Sequence, residues 1–98
     1  MIEITPLEVQ EKLNTNKMIQ LIDVREVDEV KEGKIPQAIH IPLGLLEFRM
    51  HELDKDIEYT MVCHSGGRSG RAVQLLEGHG FKVVNMVGGM NDWKGPVE

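Results

Sequence analysis

Residues 57–76 read IEYTMVCHSGGRSGRAVQLL, and the fold turns on how this stretch divides. Ile57 to Val62 is a short apolar, β-branched and aromatic run, the composition of a strand. Ala72, Val73, Leu75 and Leu76 mark one face at helical spacing, with Gly78 or Gly80 as the stop signal. Between them lies Cys63-His64-Ser65-Gly66-Gly67-Arg68-Ser69, which holds the only cysteine of the chain. Strand, glycine loop and helix in that order make an anion-binding loop: adjacent glycines let successive N–H groups turn inward, and the helix sets its positive end beneath them. A thiol held there is acidified, to roughly pKa 3.5–7.5 where helix ends and cations cooperate. A lone cysteine at a strand end is ordinarily a small buried hydrophobe. Here its neighbours argue otherwise, because Ser65, Gly66, Gly67, Arg68 and Ser69 are poor core companions and good anion ligands. Cys63 is therefore the candidate nucleophile, and His64 to Ser69 the candidate substrate-binding loop.

Upstream of this unit, Ile2 to Ile4 reads as a short strand. Thr5 then caps a helix, with Pro6 at its first position and Glu8 completing a capping box. That helix is expected to reach about Leu13 and to be followed by a turn from Asn14 to Lys17. Met18 to Ile22 is a nearly continuous apolar run, as in a parallel strand covered on both faces. It leads into Asp23-Val24-Arg25-Glu26, which places charge at the carboxyl end of a central strand. A short helix from Val27 to Glu32 stops at Gly33, and Ile35 to Pro42 reads as a loop with a short extended piece. Leu45, Leu46, Arg49, Met50 and Leu53 recur at helical spacing. Downstream, Val83 to Val87 is the last strand, followed by Gly88-Gly89 and a turn carrying Trp93. Strands alternating with helices predict an α/β sandwich with a mainly parallel sheet, in which ligands bind beyond the carboxyl ends of the strands. Cys63 falls at such an end. Residues 1–98 contain no repeat or long linker and are expected to form a single domain.

Sixteen acidic against eleven basic residues give a net charge of −5, which argues against a nucleic-acid surface or an anionic membrane as the main partner. Arg68, Arg71 and His64 still make the loop itself locally basic. No apolar run approaches the length of a membrane span, the opening Met1-Ile2-Glu3-Ile4 is unlike a leader, and one cysteine cannot form an internal disulfide. A reducing cytoplasm is the expected setting, and it suits a working thiol. His40, His51, His64 and His79 show no close helical pairing and there is no Cys-x-x-Cys, so neither a metal nor another cofactor is expected.

Five ordered blocks resemble the rhodanese-like sulfurtransferase family, over nearly the whole chain. They are Thr5-Pro6-Leu7-Glu8; Ile22-Asp23-Val24-Arg25-Glu26; Gly33-Lys34-Ile35-Pro36-Gln37-Ala38 with Ile39 to Pro42; Cys63, Gly66, Arg68 and Ser69 of Cys-x-x-Gly-x-Arg-Ser; and Gly80-Phe81, Gly88-Gly89, Trp93 and Gly95. Lys34 stands where the family usually has histidine and Gln37 where it usually has glycine, so a local change in that turn is expected. The resemblance implies a three-layer α/β/α sandwich and a persulfide on Cys63. It also implies transfer of sulfane sulfur from a small anionic donor such as thiosulfate, or from a persulfide-carrying protein, to a thiol or cyanide.

Arg68 suits either an anionic donor or the bracing of the loop. Ser65 and Ser69 are candidate donors to the sulfur, with helix capping the simpler role for Ser69. His64 is expected at the entrance. Asp23, Arg25 and His40 are expected to be structural, and Trp93 to pack near the loop and shield it. Two rivals stand beside the transferase. A cysteine phosphatase loop places five residues between cysteine and arginine, whereas four separate Cys63 from Arg68. A catalytically silent interaction module would use the same fold without turnover.

Overall fold

Strands β1 (Glu3–Ile4), β2 (Gln20–Asp23), β3 (Ile39–His40), β4 (Glu58–Val62) and β5 (Lys82–Met86) pair in the order β1-β5-β4-β2-β3. This is a computed structural model, which describes residues 1–15 and 18–98. Every pairing is parallel, so the α/β class read from the alternation holds without an antiparallel edge. The central strand is β4. It meets β2 from Gln20↔Tyr59 to Asp23↔Val62 and β5 from Glu58↔Lys82 to Met61↔Asn85. The edge strands are two residues each, which leaves little unpaired backbone for another chain to extend.

Side-chain alternation along the strands sends residues to two separate cores. Ile22, Tyr59, Met61, Cys63 and Val83 point to one face, where Leu46 of α3 (Leu43–Arg49) and Ala72, Val73 and Leu76 of α4 (Gly67–Gly78) cover them. Leu21, Val62, Val84 and Met86 point to the other, under Val9 of α1 (Pro6–Asn14) and Trp93. Each fully buried leucine, isoleucine or valine contributes about 1.5–3 kcal/mol to folding, so both layers are needed. Helix α2 (Val27–Lys31) buries no residue and stands over the carboxyl end of the sheet.

Local signals close as the residue chemistry requires. The Thr5 N–H donates to Glu8 Oε1 at 3.0 Å and the Glu8 N–H to Thr5 Oγ1 at 3.1 Å, completing the capping box with Pro6 behind it. Of the two candidate stops for α4, Gly80 serves: at φ +85° it lets its own N–H reach the Glu77 carbonyl and the Phe81 N–H the Leu76 carbonyl, both at 3.0 Å. Strand β2 starts two residues later than the apolar run suggests, because its partner β4 begins only at Glu58; Met18 is consequently exposed. Strand β5 lies one residue earlier than expected, and α3 ends at Arg49 in a 3-10 turn, Met50–Glu52. In the expected Asn14–Lys17 turn, Asn14 closes α1, while residues 16 and 17 lie outside the described residues. Lys34 reshapes its own turn by donating to the carbonyls of Ile35, Pro36 and Ala38, and it also pairs with Glu98 at 3.1 Å. Among the described residues no helix is long and apolar enough to cross a membrane.

Candidate active site

Cys63 is the residue immediately after β4, so the carboxyl end of the central strand delivers its side chain towards the α4 face. The chain then curls through Gly66, at φ +105° and ψ −14°, into the first turn of α4. That conformation is open to glycine and strained for any other residue. It aims the Gly66 N–H at Cys63 Sγ, 2.9 Å away. Gly67 is already helical, with open space where a Cβ would sit, so the curl depends on Gly66 alone.

The sulfur is enclosed rather than exposed, the residue being 1% accessible, but its surroundings are polar. Cys63 S–H donates to Ser69 Oγ at 3.4 Å, and the same hydroxyl lies 3.1 Å from the Gly66 carbonyl and donates to Asn85 Oδ1. Burial pushes the Cys63 thiol up. The Ser69 hydroxyl and the N–H groups of Ser69, Gly66 and Ser65 together outweigh it and hold the thiol below its ordinary value. Ser69 is buried at the third residue of α4, where its hydroxyl faces the sulfur. The cap position belongs to Gly66, which has no side chain to offer, so the simpler capping role expected of Ser69 does not hold.

Arg68 reaches across to α2. Its Nη1 and Nη2 donate to Glu29 Oε1 and Oε2 at 2.5 and 2.6 Å, so one carboxylate takes both arms of the guanidinium fork. Glu29 Oε1 also accepts the Glu26 N–H at 3.0 Å, which ties the start of α2 to the loop. The Arg68 hydrogen bonds draw the Glu29 carboxyl down to about 2 against the opposing effect of burial. His64 and Ser65 are exposed on the outer side of the loop. Beside them a hollow of about 330 Å³ is lined by Arg25, Glu29, Glu32, His64, Met90 and Asn91 among others.

One neighbouring segment holds the loop, and another braces the end of β2 beside it. Beyond β5, the Met90 N–H donates to the Cys63 carbonyl at 2.7 Å and the Asn91 N–H to the His64 carbonyl at 2.9 Å. Gly89, at φ +56°, makes this approach possible, since a Cβ there would lie 2.4 Å from the Cys63 carbonyl oxygen. On the other side, buried Arg25 clasps Asp23 through Nε at 3.0 Å and Nη2 at 2.8 Å, and also donates to the Gly33 carbonyl at 2.8 Å. His40 Nε2 meets the Arg25 carbonyl at 2.7 Å. These three residues brace the backbone and do not approach the sulfur. Trp93 departs from expectation: it belongs to the core on the opposite face of the sheet, with its Nε1–H on the Pro96 carbonyl at 3.1 Å, so it does not shield Cys63. The turn that follows β5 carries Trp93 behind the sheet, away from the core to which Cys63 belongs.

Glu29 and Asn85 are the site residues that the sequence reading missed. Asn85 had a visible signal, a buried amide inside the apolar run Val83-Val84-Asn85-Met86-Val87, which demands polar partners. The pairing of Glu29 with Arg68, thirty-nine residues away, left none. Among the described residues, no group of three or more His, Cys, Asp or Glu is placed to hold a metal ion.

A cysteine cradle at the carboxyl end of an all-parallel, doubly covered sheet defines the rhodanese class of α/β domain. The family described as Rhodanese-like domain matches residues 5–96, and the chain belongs to it. YtwF of Bacillus subtilis, whose given name proposes a sulfurtransferase, is 47% identical over 98% of this chain and 93% of its own. Thiosulfate sulfurtransferase GlpE of Coxiella burnetii is 30% identical over 94% of this chain and 86% of its own. The crystal structure of a rhodanese-like domain protein from Staphylococcus aureus superposes with a TM-score of 0.95 at 36% identity, covering 100% of this chain and 97% of that one.

Proposed function

We propose that the protein is a sulfurtransferase working through a persulfide on Cys63. The Cys63 thiolate attacks the outer sulfur of a donor; a new S–S bond forms as the donor's own bond breaks, releasing sulfite from thiosulfate or a thiolate from a persulfide. An acceptor thiolate or cyanide then attacks the outer sulfur of the enzyme persulfide, and the Cys63 thiolate leaves with the electron pair. No net redox change falls on the protein. With one cysteine in the chain, discharge has to go to another molecule, either a small acceptor or a protein that carries persulfide sulfur.

The observation that carries this reading is the Gly66 N–H directed at Sγ from 2.9 Å, in a loop whose hydrogen-bond donors favour the anion. Such donors are fixed before reaction and stabilise negative sulfur without reorganising. A reducing cytoplasm is the compartment in which a thiol of this kind persists.

The Arg68 pairing bears on the donor. Its guanidinium is held by Glu29, and Glu26 and Glu32 lie close by, so the cation that would greet a dianion is already neutralised. A persulfide donor, with less negative charge, is therefore preferred over thiosulfate. The test is intact-mass analysis after incubation with thiosulfate or with a low-molecular-weight persulfide. A gain of one sulfur atom that is lost in Cys63→Ala supports the transferase. No gain with any donor leaves the silent module as the reading.

A further inference from the structure

Ser69 Oγ carries one hydrogen and touches three groups: Cys63 Sγ, the Gly66 carbonyl and the Asn85 side-chain amide. Ser69 and Asn85 are both buried, at 0% and 5% exposure, so water cannot substitute for any of these partners. The arrangement described above is that of a protonated sulfur. The thiol donates to Ser69, and Ser69 passes its own hydrogen on to Asn85 Oδ1. Once the sulfur is anionic this order fails, because the sulfur now accepts and Ser69 has to turn its hydrogen back towards it. With Oδ1 still facing it, the hydroxyl oxygen would then oppose another acceptor.

Turning the Asn85 amide end for end resolves the conflict without moving a heavy atom appreciably. Nδ2 then donates to Ser69 Oγ, and Ser69 donates to Sγ. The turn gives up the contact of Nδ2 with the Gly66 carbonyl and sets Oδ1 in its place; at 3.5 Å the bond lost is weak and the two oxygens now facing one another are beyond van der Waals contact, so the cost there is small beside the Ser69 bond gained. The sheet register makes the arrangement possible. Asn85 is paired with Met61, two residues before Cys63 on β4, and both side chains point to the α4 face.

We propose that Asn85 is a positioning residue for anionic sulfur, acting on Cys63 through the Ser69 hydroxyl. It does not touch the reacting atoms. The thiol proton leaves to solvent, and the three side chains reverse the direction of two hydrogen bonds. This rests on the transferase reading, and its consequence there is specific. Cys63 Sγ is the leaving group when the acceptor attacks, and a better-stabilised thiolate leaves faster, whereas loading gains less because nucleophilicity falls with basicity. The other charged group acting on the sulfur is Arg68 on α4, with Glu29 and Glu26 of α2 behind it, while His64 is exposed on the outer side of the loop.

The test reads the midpoint pH of Cys63 alkylation in the parent, Asn85→Leu, Ser69→Ala and the double variant. Each single change is expected to raise the midpoint by about half a unit or more. The double variant is expected to match Ser69→Ala alone, because Asn85 works only through that hydroxyl. Single-turnover discharge slows in the same order. An unmoved midpoint in Asn85→Leu, or shifts that add in the double variant, overturns the proposal. If Asn85→Leu does not fold, the parent protein decides: the NMR signals of the Asn85 side-chain amide are expected to titrate with the Cys63 midpoint, and an amide that stays still rejects the relay. None of these readouts needs turnover. A protein that takes sulfur from no donor therefore refutes the transferase while leaving the relay separately measurable.

Discussion

At the scale of single residues, ionisation at two positions separates this loop from an ordinary turn. The hydrogen bonds around Cys63 lower its pKa despite burial, so alkylation followed against pH should show a midpoint below about 8.5, the value of a free thiol. A midpoint at that value would mean the N–H groups do not act on the sulfur. Glu29 offers a second measurement. Its folded pKa of about 2 lies below the ordinary 4.5, so its pairing with Arg68 contributes fully above pH 4.5 and is lost as the pH falls towards 2. Glu29→Gln should therefore melt at a lower temperature than the parent at neutral pH, with the gap closing across that acid window. In the same variant Arg68 is free to meet a dianion, and kcat/KM for thiosulfate should rise severalfold relative to a persulfide donor. Equal losses with both donors would show that the pair only braces the loop.

At the scale of elements, the glycines divide into those the backbone requires and those it does not. Gly89→Ala puts a Cβ against the Cys63 carbonyl oxygen at φ +56° and should cost about 1–3 kcal/mol in strain alone, seen as a lower Tm and slower sulfur loading. Gly66→Ala, at φ +105°, should fail in the same way and also raise the Cys63 midpoint. Exposed Gly67→Ala should stay within about 0.5 kcal/mol of the parent. Similar melting curves for all three would refute the account of the curl. These contrasts also show what could be read in advance. The strand, loop and helix around Cys63 were legible because their chemistry lies within consecutive residues, as were the capping box at Thr5 and Glu8 and the alternation that gives a parallel sheet. The face taken by Trp93, the partner of Arg68 and the part played by Asn85 were not. The part of Asn85 depends on the register of β4 with β5, and the other two on how α2, α4 and the turn after β5 pack, all of which join residues far apart in the chain. The sequence reading treated Gly66 and Gly67 alike, and only the backbone angles separate them.

At the scale of the whole molecule, local and global charge oppose one another. The chain carries a net charge of −5 on a body of 31 × 29 × 21 Å. At about 0.01 M ionic strength the screening length is about 30 Å, comparable with the molecule, so an approaching anion feels the entire field; at about 0.15 M it shrinks to about 8 Å and only the nearest groups count. Near the loop, Glu29 cancels Arg68 and Asp23 cancels Arg25, leaving Glu26 and Glu32 to outweigh the exposed Arg71 beside His64. Neither scale then attracts a dianion. For thiosulfate, kcat/KM should accordingly rise between about 0.01 and 0.15 M salt as repulsion is screened, while an uncharged donor should show a nearly flat profile. Stopped-flow loading of Cys63 at several salt concentrations, with the pH held constant, distinguishes the cases. A thiosulfate rate that falls as salt is added would mean that Arg68, Arg71 and His64 attract the donor despite Glu29, and would return thiosulfate to first place among the donors.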